Sequence, residues 1–389
     1  MPRIQELDIL RNELPRGRWN SLTDVAGVLV GHYTLIAGEG EWQPGQGPFR
    51  TGVTVILPHA GNLYAEKVPT AVHTINGFGK VAGFEQVREL GHSETPIALT
   101  GTLNVPRVAD ALITLAIEQN PHIGIGFAGT GRKGYASVNP LVGETSDGFL
   151  NDIQARPIGE AEVRAALADA QSGPVAEGVV GAGTGTSCYG WKGGIGTASR
   201  VLPEQAGSFT VGALVQSNFG RPSELTIAGV PIGQHLQPPD HQPRPEDGSI
   251  MIVLATDAPL DSRQLGRLCR RATFGLARTG STCHGGSGDF VIGVSTGYWL
   301  ADRPSSLITT RPVLDEQPIM SQLALALIES VEEAIYNSLL MAHTVTGRDG
   351  NTRYGLPADE VVALWRNYRV IKSVIRYLSG RPFQVVFQL

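Results

Sequence analysis

Cysteine is scarce and unpatterned in this chain. Cys188, Cys269 and Cys283 are the three cysteines among 389 residues, an odd number with no paired spacing, so neither a disulfide framework nor a zinc knuckle follows. The nine histidines include no H-E-x-x-H pair, and no metal or other cofactor is expected. Long hydrophobic runs are missing too. No uncharged apolar stretch reaches the roughly 18 residues of a membrane span, and the opening segment MPRIQELDILRNELPRGRW mixes charges without an apolar centre. The expectation is a cytoplasmic protein with no membrane partner. Dense basic runs are absent as well. Net charge is −5, and the nearest thing to a basic cluster, Arg267, Arg270, Arg271 and Arg278, interleaves with Leu265, Leu268, Ala272 and Leu276 like the solvated face of a helix. Nucleic acid is therefore not an expected partner. No repeat, charge block or low-complexity tract divides the chain, so 1–389 reads as a single compact domain.

Glycine, by contrast, is concentrated. Eight glycines fall between Gly178 and Gly196, in GVVGAGTGTSCYGWKGGIG. A dinucleotide fingerprint needs G-x-G-x-x-G opening a helix and a phosphate loop needs G-K-[ST]; here Gly181, Gly183 and Gly185 alternate and no G-K-[ST] follows. Alternation points to strands whose backbones come close to a neighbouring element.

The sharpest contrast lies at 233–256. A proline-broken polar segment, GQHLQPPDHQPRPEDG, runs directly into SIMIVLAT. Pro238, Pro239, Pro243 and Pro245 fix φ and remove donors, so the first part reads as an exposed tether. The second part is a continuous apolar run of strand length, the pattern of a strand covered on both faces. Ser249 stands at the junction, preceded by Gly248. If that peptide were cut, Ser249 would carry a hydroxyl nucleophile and an α-amine whose unperturbed pKa of ~7.7–8 suits a general base. A turn entering a strand is the plain alternative. Two further constellations accompany it. In STCHGGSGDFVIGVST, Ser287 and Asp289 stand two apart at the mouth of another apolar run, on one face by period-two geometry. In QSNFG, Asn218 ends a strand-like run, where a side-chain amide is a candidate oxyanion donor.

Together DGSIMIVLATDAPL, HGGSGD, QSNFG, GETSDGFLND and the glycine-rich segment resemble the L-aminopeptidase/D-amidase-esterase family, the DmpA type, which includes the β-peptidyl aminopeptidases. The resemblance covers nearly the whole chain. It implies a four-layer αββα sandwich of the N-terminal-nucleophile hydrolase kind, an α/β fold. It also implies a precursor that cleaves itself between Gly248 and Ser249 into an α chain, 1–248, and a β chain, 249–389. By the same resemblance Ser249 is the nucleophile, Asn218 the oxyanion donor, and Ser287 with Asp289 the pair that organises the nucleophile's amine. Glu144 matches an acidic residue that receives the substrate's amino group, and Phe149 stands near a position where some relatives carry a tyrosine. Implied substrates are short peptides, amino-acid amides or esters with a free amino terminus, and the implied assembly is a homo-oligomer, a tetramer of αβ units. Two other readings stay open: an ornithine acetyltransferase-like acyltransferase, whose nucleophile is threonine, and an uncleaved α/β binding protein without enzymatic activity.

Periodicity adds a coarse layout. Strands are expected at 52–57, 96–99, 123–127, 210–216, 250–256 and 290–295. One helix is expected from Asp261, as N-cap, to Gly280, a second over about 319–343 with Met320, Leu323, Leu327, Val331, Ala334 and Ile335 on one stripe, and a third beginning at Pro357.

Overall fold

A computed structural model describes residues 1–125, 136–239, 247–302, 310–315 and 317–379. Along the chain the strands are β1 (Leu29–Ala37), β2 (Phe49–Leu57), β3 (Glu66–Gly77), β4 (His92–Ser93), β5 (Ile97–Gly101), β6 (Leu141–Thr145), β7 (Ser187–Cys188), β8 (Trp191–Lys192), β9 (Ile195–Val201), β10 (Thr210–Asn218), β11 (Asp247–Thr256), β12 (Gly286–Ser295), β13 (Leu300–Ala301), β14 (Val345–Thr346) and β15 (Thr352–Arg353). The helices are α1 (Phe84–Leu90), α2 (Val105–Gln119), α3 (Glu160–Asp169), α4 (Ser262–Cys269), α5 (Ala272–Arg278), α6 (Met320–Leu340) and α7 (Ala358–Ser379).

Two sheets face each other. The smaller has the order β1-β2-β5-β6; the larger runs β13-β3-β12-β11-β10-β9, with β4 paired to β3. Strand β11 is central in the larger sheet, antiparallel to β10 and parallel to β12. A parallel pair requires a crossover, which α4 and α5 supply. Alternation along β11 then separates the layers. Met251, Val253 and Ala255 meet Ile56, Leu99 and Leu141 of the smaller sheet, while Ile250, Ile252 and Leu254 meet Leu268, Leu276, Leu327 and Val331 of the helices. All six β11 residues are fully buried, as the unbroken apolar run requires. On the far side of the smaller sheet, Val53, Val55, Ala98 and Val142 pack on Val108, Leu112 and Val163 of α2 and α3. The order helix, sheet, sheet, helix is the αββα sandwich.

Most of the expected elements are present, with four differences. Residues 123–125 form a turn rather than a strand: Gly124 has φ +79 and only Ile123 makes a bridge, to Ala136, while 126 and 127 lie outside the described residues. The helix after Asp261 is two helices. Asp261 caps the first through a reciprocal box with Gln264, at 2.7 and 2.9 Å, and the chain then tightens into an i→i+3 turn where Arg271 N–H donates to Leu268 O at 2.7 Å. Gly181–Gly183 forms a 3₁₀ turn, not a strand, although the close approach holds: a methyl at Gly185 would lie 2.0 Å from Arg50 O. Finally, α6 is buried on nearly every side, because the segment from Ile4 to Asn20 lies against it. Of the exposed tether expected over 233–248, the first part is instead packed down, with Gly233 buried in the 3₁₀ turn Ile232–Gln234 and Pro238 buried, and the last two residues already belong to β11; residues 240–246 lie outside the described residues.

Candidate active site

Ser249 is 4% exposed near the start of β11. Its side chain shares the inter-sheet face with Met251, and its neighbours in register are Asn218 on β10 and Gly288 on β12. Gly288 has no side chain to crowd that face. Gly248 precedes it in a tight place: a methyl there would lie 3.0 Å from Phe219 Cα and 3.1 Å from Asn218 O.

Asn218 stands directly across from Ser249, so both side chains leave the same face. Its Oδ1 accepts the backbone N–H of Ser187 at 2.8 Å, which fixes the amide and turns Nδ2 the other way. Two residues back, Gln216 Nε2 donates to Ala182 O at 3.0 Å and Thr145 Oγ1 at 2.9 Å, tying the two sheets together beneath the site.

Ser287 Oγ donates to Asp289 Oδ1 at 2.6 Å, and both residues are buried. They share one face as the spacing requires, yet that face is the opposite one: Asp289 is in register with Ile250, which points to the helices, whereas Ser249 points to the other sheet. The pair thus lies behind the backbone of residues 248–250 rather than beside the Ser249 hydroxyl. Burial raises the Asp289 pKa, partly offset by Ser287, the Cys283 thiol and the Ile250 N–H. Oδ2 of the same carboxylate is buried without a well-formed hydrogen bond. A carboxylate placed there can serve the nitrogen of Ser249, not its oxygen.

Glu144 reaches the site from the edge of the smaller sheet. Its Oε1 accepts the Lys80 N–H at 2.8 Å, and Gly79 adjoins both it and Gly288: a methyl on Gly79 would be 3.2 Å from Glu144 Oε1 and 3.2 Å from Gly288 Cα. Burial raises the Glu144 pKa against the opposing pull of Lys80 and Thr102. Phe149 is half-buried, with the Arg353 guanidinium stacked 3.6 Å from its ring centroid. His284, which has no partner legible in sequence, bonds the Glu224 carboxylate at 2.9 Å.

Four residues here escaped sequence reasoning. Ser187 sets the Asn218 amide. Lys192, fully buried, directs its ammonium at the carbonyls of Gly183, Thr186 and Gly193 at 2.9, 2.9 and 2.6 Å and so folds the β7–β8 hairpin onto the end of β10. Burial draws the Lys192 pKa down to about 7. Asp147, inside GETSDGFLND, is fully buried with its pKa pushed up by burial to about 6. Arg353 bonds Ser187 Oγ at 2.8 Å. The glycine cluster was the available signal for the first two, since a methyl at Gly193 would lie 2.5 Å from Ser217 O.

A sequence model of the peptidase family S58 matches residues 20–353, from the first strands to Arg353. The chain belongs to peptidase family S58. This S58 peptidase is 37% identical to the β-peptidyl aminopeptidase of Sphingosinicella xenopeptidilytica over 377 residues, 94% of this chain and 91% of the relative. A solved protein of Pyrococcus horikoshii OT3 superposes with a TM-score of 0.87 at 45% identity, over 95% of this chain and 99% of that one. The L-aminopeptidase D-Ala-esterase/amidase of Ochrobactrum anthropi, described as a serine aminopeptidase with a variant of the Ntn-hydrolase fold, superposes at 0.84 with 37% identity, over 95% and 99%. The S58 peptidase has the Ntn-hydrolase fold and is a hydrolase of the aminopeptidase kind. No described helix is long and apolar enough to cross a membrane.

Proposed function

We propose that this chain is a self-processing serine aminopeptidase that uses Ser249 as its nucleophile. The observation that carries the reading is the register at β11: Ser249 directly across from an Asn218 whose amide is already oriented, with the Ser287–Asp289 pair behind the same backbone.

In processing, the Ser249 Oγ attacks the carbonyl of Gly248 and displaces its own nitrogen, giving an ester; water hydrolyses the ester to a Gly248 carboxylate and a free Ser249 α-amine. The single domain 1–389 then consists of chains 1–248 and 249–389. In turnover the amine takes the hydroxyl proton while Oγ attacks the carbonyl of the substrate's first residue. Asn218 Nδ2 supports the oxyanion, the leaving amine or alcohol departs protonated, and water frees the acyl group. Asp289 and Ser287 hold the α-ammonium that forms in between. Glu144 pairs with the substrate's amino terminus, which restricts attack to the first bond, and Phe149 bounds the pocket. The substrates are short peptides, amino-acid amides or esters, in keeping with the names of the relatives. Serine at 249 disfavours the ornithine acetyltransferase alternative.

Denaturing electrophoresis tests this first. The wild-type protein is expected as two bands, the smaller beginning SIMIV, and Ser249→Ala as one; two bands from the alanine variant would sink autocatalysis. A dipeptide with a free amino terminus should then be cleaved and its N-acetyl counterpart should not, because acetylation leaves the Glu144 carboxylate unpaired. Equal kcat/KM for the two would remove the role given to Glu144.

A further inference from the structure

Arg353 links Phe149 to the residue that orients the Asn218 amide. It is 4% exposed, its Nε donates to Ser187 Oγ at 2.8 Å, and its guanidinium carbon sits over the Phe149 ring, 3.6 Å from the centroid. Ser187 in turn passes its backbone N–H to Asn218 Oδ1 at 2.8 Å, and Asn218 faces Ser249. The β14–β15 hairpin that carries Arg353 is fastened to the loop after β6, with Asn351 Nδ2 donating to Phe149 O and Arg348 Nε to Gly148 O, both at 3.0 Å. The ring under the guanidinium and the hydroxyl at its edge are therefore both held from one hairpin.

Two features set this arginine apart from one retained for packing. Among the described residues its Nη1 is buried without a hydrogen-bond partner, so packing alone does not satisfy the group. Its one side-chain acceptor belongs to a two-residue strand, β7, too short to hold a backbone N–H in place by ladder bonds alone. An amide is a useful oxyanion donor only if its nitrogen, not its oxygen, faces the reacting carbonyl, and here the choice is made by the Ser187 N–H.

We propose that Arg353 is a positioning residue for this hydrolase: through Ser187 it sets the Asn218 amide, and through Phe149 it ties that setting to the pocket. This rests on the role given to Asn218 above. The lever acts on the transition state more than on substrate binding, so its removal should appear in kcat.

The test uses the processed wild-type enzyme with Arg353→Met, Arg353→Ala, Ser187→Ala and the Ser187→Ala/Arg353→Met double variant, assayed on a free-amino dipeptide. Arg353→Met should still run as two bands and lose about tenfold or more in kcat, less than the ~10²–10³ of losing an oxyanion donor outright, with KM within about threefold. Ser187→Ala should lose a similar factor, and the double variant should lose no more than either single one, because both break one chain. Methylguanidinium should restore part of the Arg353→Ala kcat. Wild-type kcat in Arg353→Met, or losses that multiply in the double variant, would overturn the proposal. If Arg353→Met fails to fold, Ser187→Ala decides, and an unchanged kcat there overturns it. An active, two-band wild type beside an unaffected Arg353→Met would fail this inference alone, whereas a one-band wild type inactive on the dipeptide would fail the underlying reading with it.

Discussion

Asp289 shows how much chemistry one buried carboxylate can carry. Desolvation lifts its pKa and the Ser287 hydroxyl pulls it back only in part, so its charge is lost on acidification sooner than that of an exposed aspartate. Asp289→Asn should keep the fold, since the Ser287 contact survives, and should lower kcat by roughly 10²–10³-fold, the range for removing one preorganised electrostatic partner of the transition state. The wild-type kcat profile should show an acid limb above the ordinary aspartate value of about 3.9. An Asp289→Asn enzyme with wild-type kcat would show that Gly286–Asp289 is only a strand entry. The residues proposed for the site could be named from the sequence because each sits in a short contiguous motif. Ser187 and Arg353 could not, because their chemistry exists only between distant segments: the two are 166 positions apart. The face of the Ser287–Asp289 pair was likewise hidden, since alternation says that two residues share a side but not which layer that side meets.

At the level of elements, the runs that proved strands were those buried on both faces or ending at a sharp motif, and the described part of the expected 123–127 run, 123–125, turns instead because Pro121 and Gly124 break it locally. Splitting of the helix after Asp261 left no sequence mark, for neither Arg270 nor Arg271 is a helix breaker. Strand β9 offers a test of how tightly the layers meet. A methyl at Gly196 would lie 2.0 Å from Ala334 O and 2.5 Å from Ser338 N of α6, both backbone atoms that cannot swing aside. Gly196→Ala should therefore force α6 from the sheet at a cost of about 1–3 kcal/mol, read as a lowered urea midpoint with an unchanged slope. No change in midpoint would mean that the α6 contact is looser than this spacing implies.

Across the whole molecule, buried charge is managed in two opposite ways. Burial works against ionisation of Glu333, yet Arg200 and Arg16 outweigh it and hold the carboxyl below its usual range, so this group stabilises the fold above the unfolded carboxylate pKa and the contribution is lost as pH falls through the lowered native value. Asp147 behaves inversely. Its native pKa of about 6 exceeds the unfolded 3.8, the native state holds the extra proton between them, and stability must decline as pH rises across that window. Asp147→Asn should flatten the fall in urea midpoint between about pH 4 and pH 6, and an unaltered slope would refute the assignment. The placement of β11 has a last consequence. The proposed cut falls inside the strand, two residues from its start, and the strand is hydrogen-bonded to β10 on one side and β12 on the other, while Arg16 and Asn20 grip Glu333 from the opposite end of the chain. A molecule nicked at Gly248 would remain one body in native buffer but become a two-component system thermodynamically. Its folding would depend on concentration, and a pair once separated and diluted would have to find each other again, which the unbroken precursor never has to do.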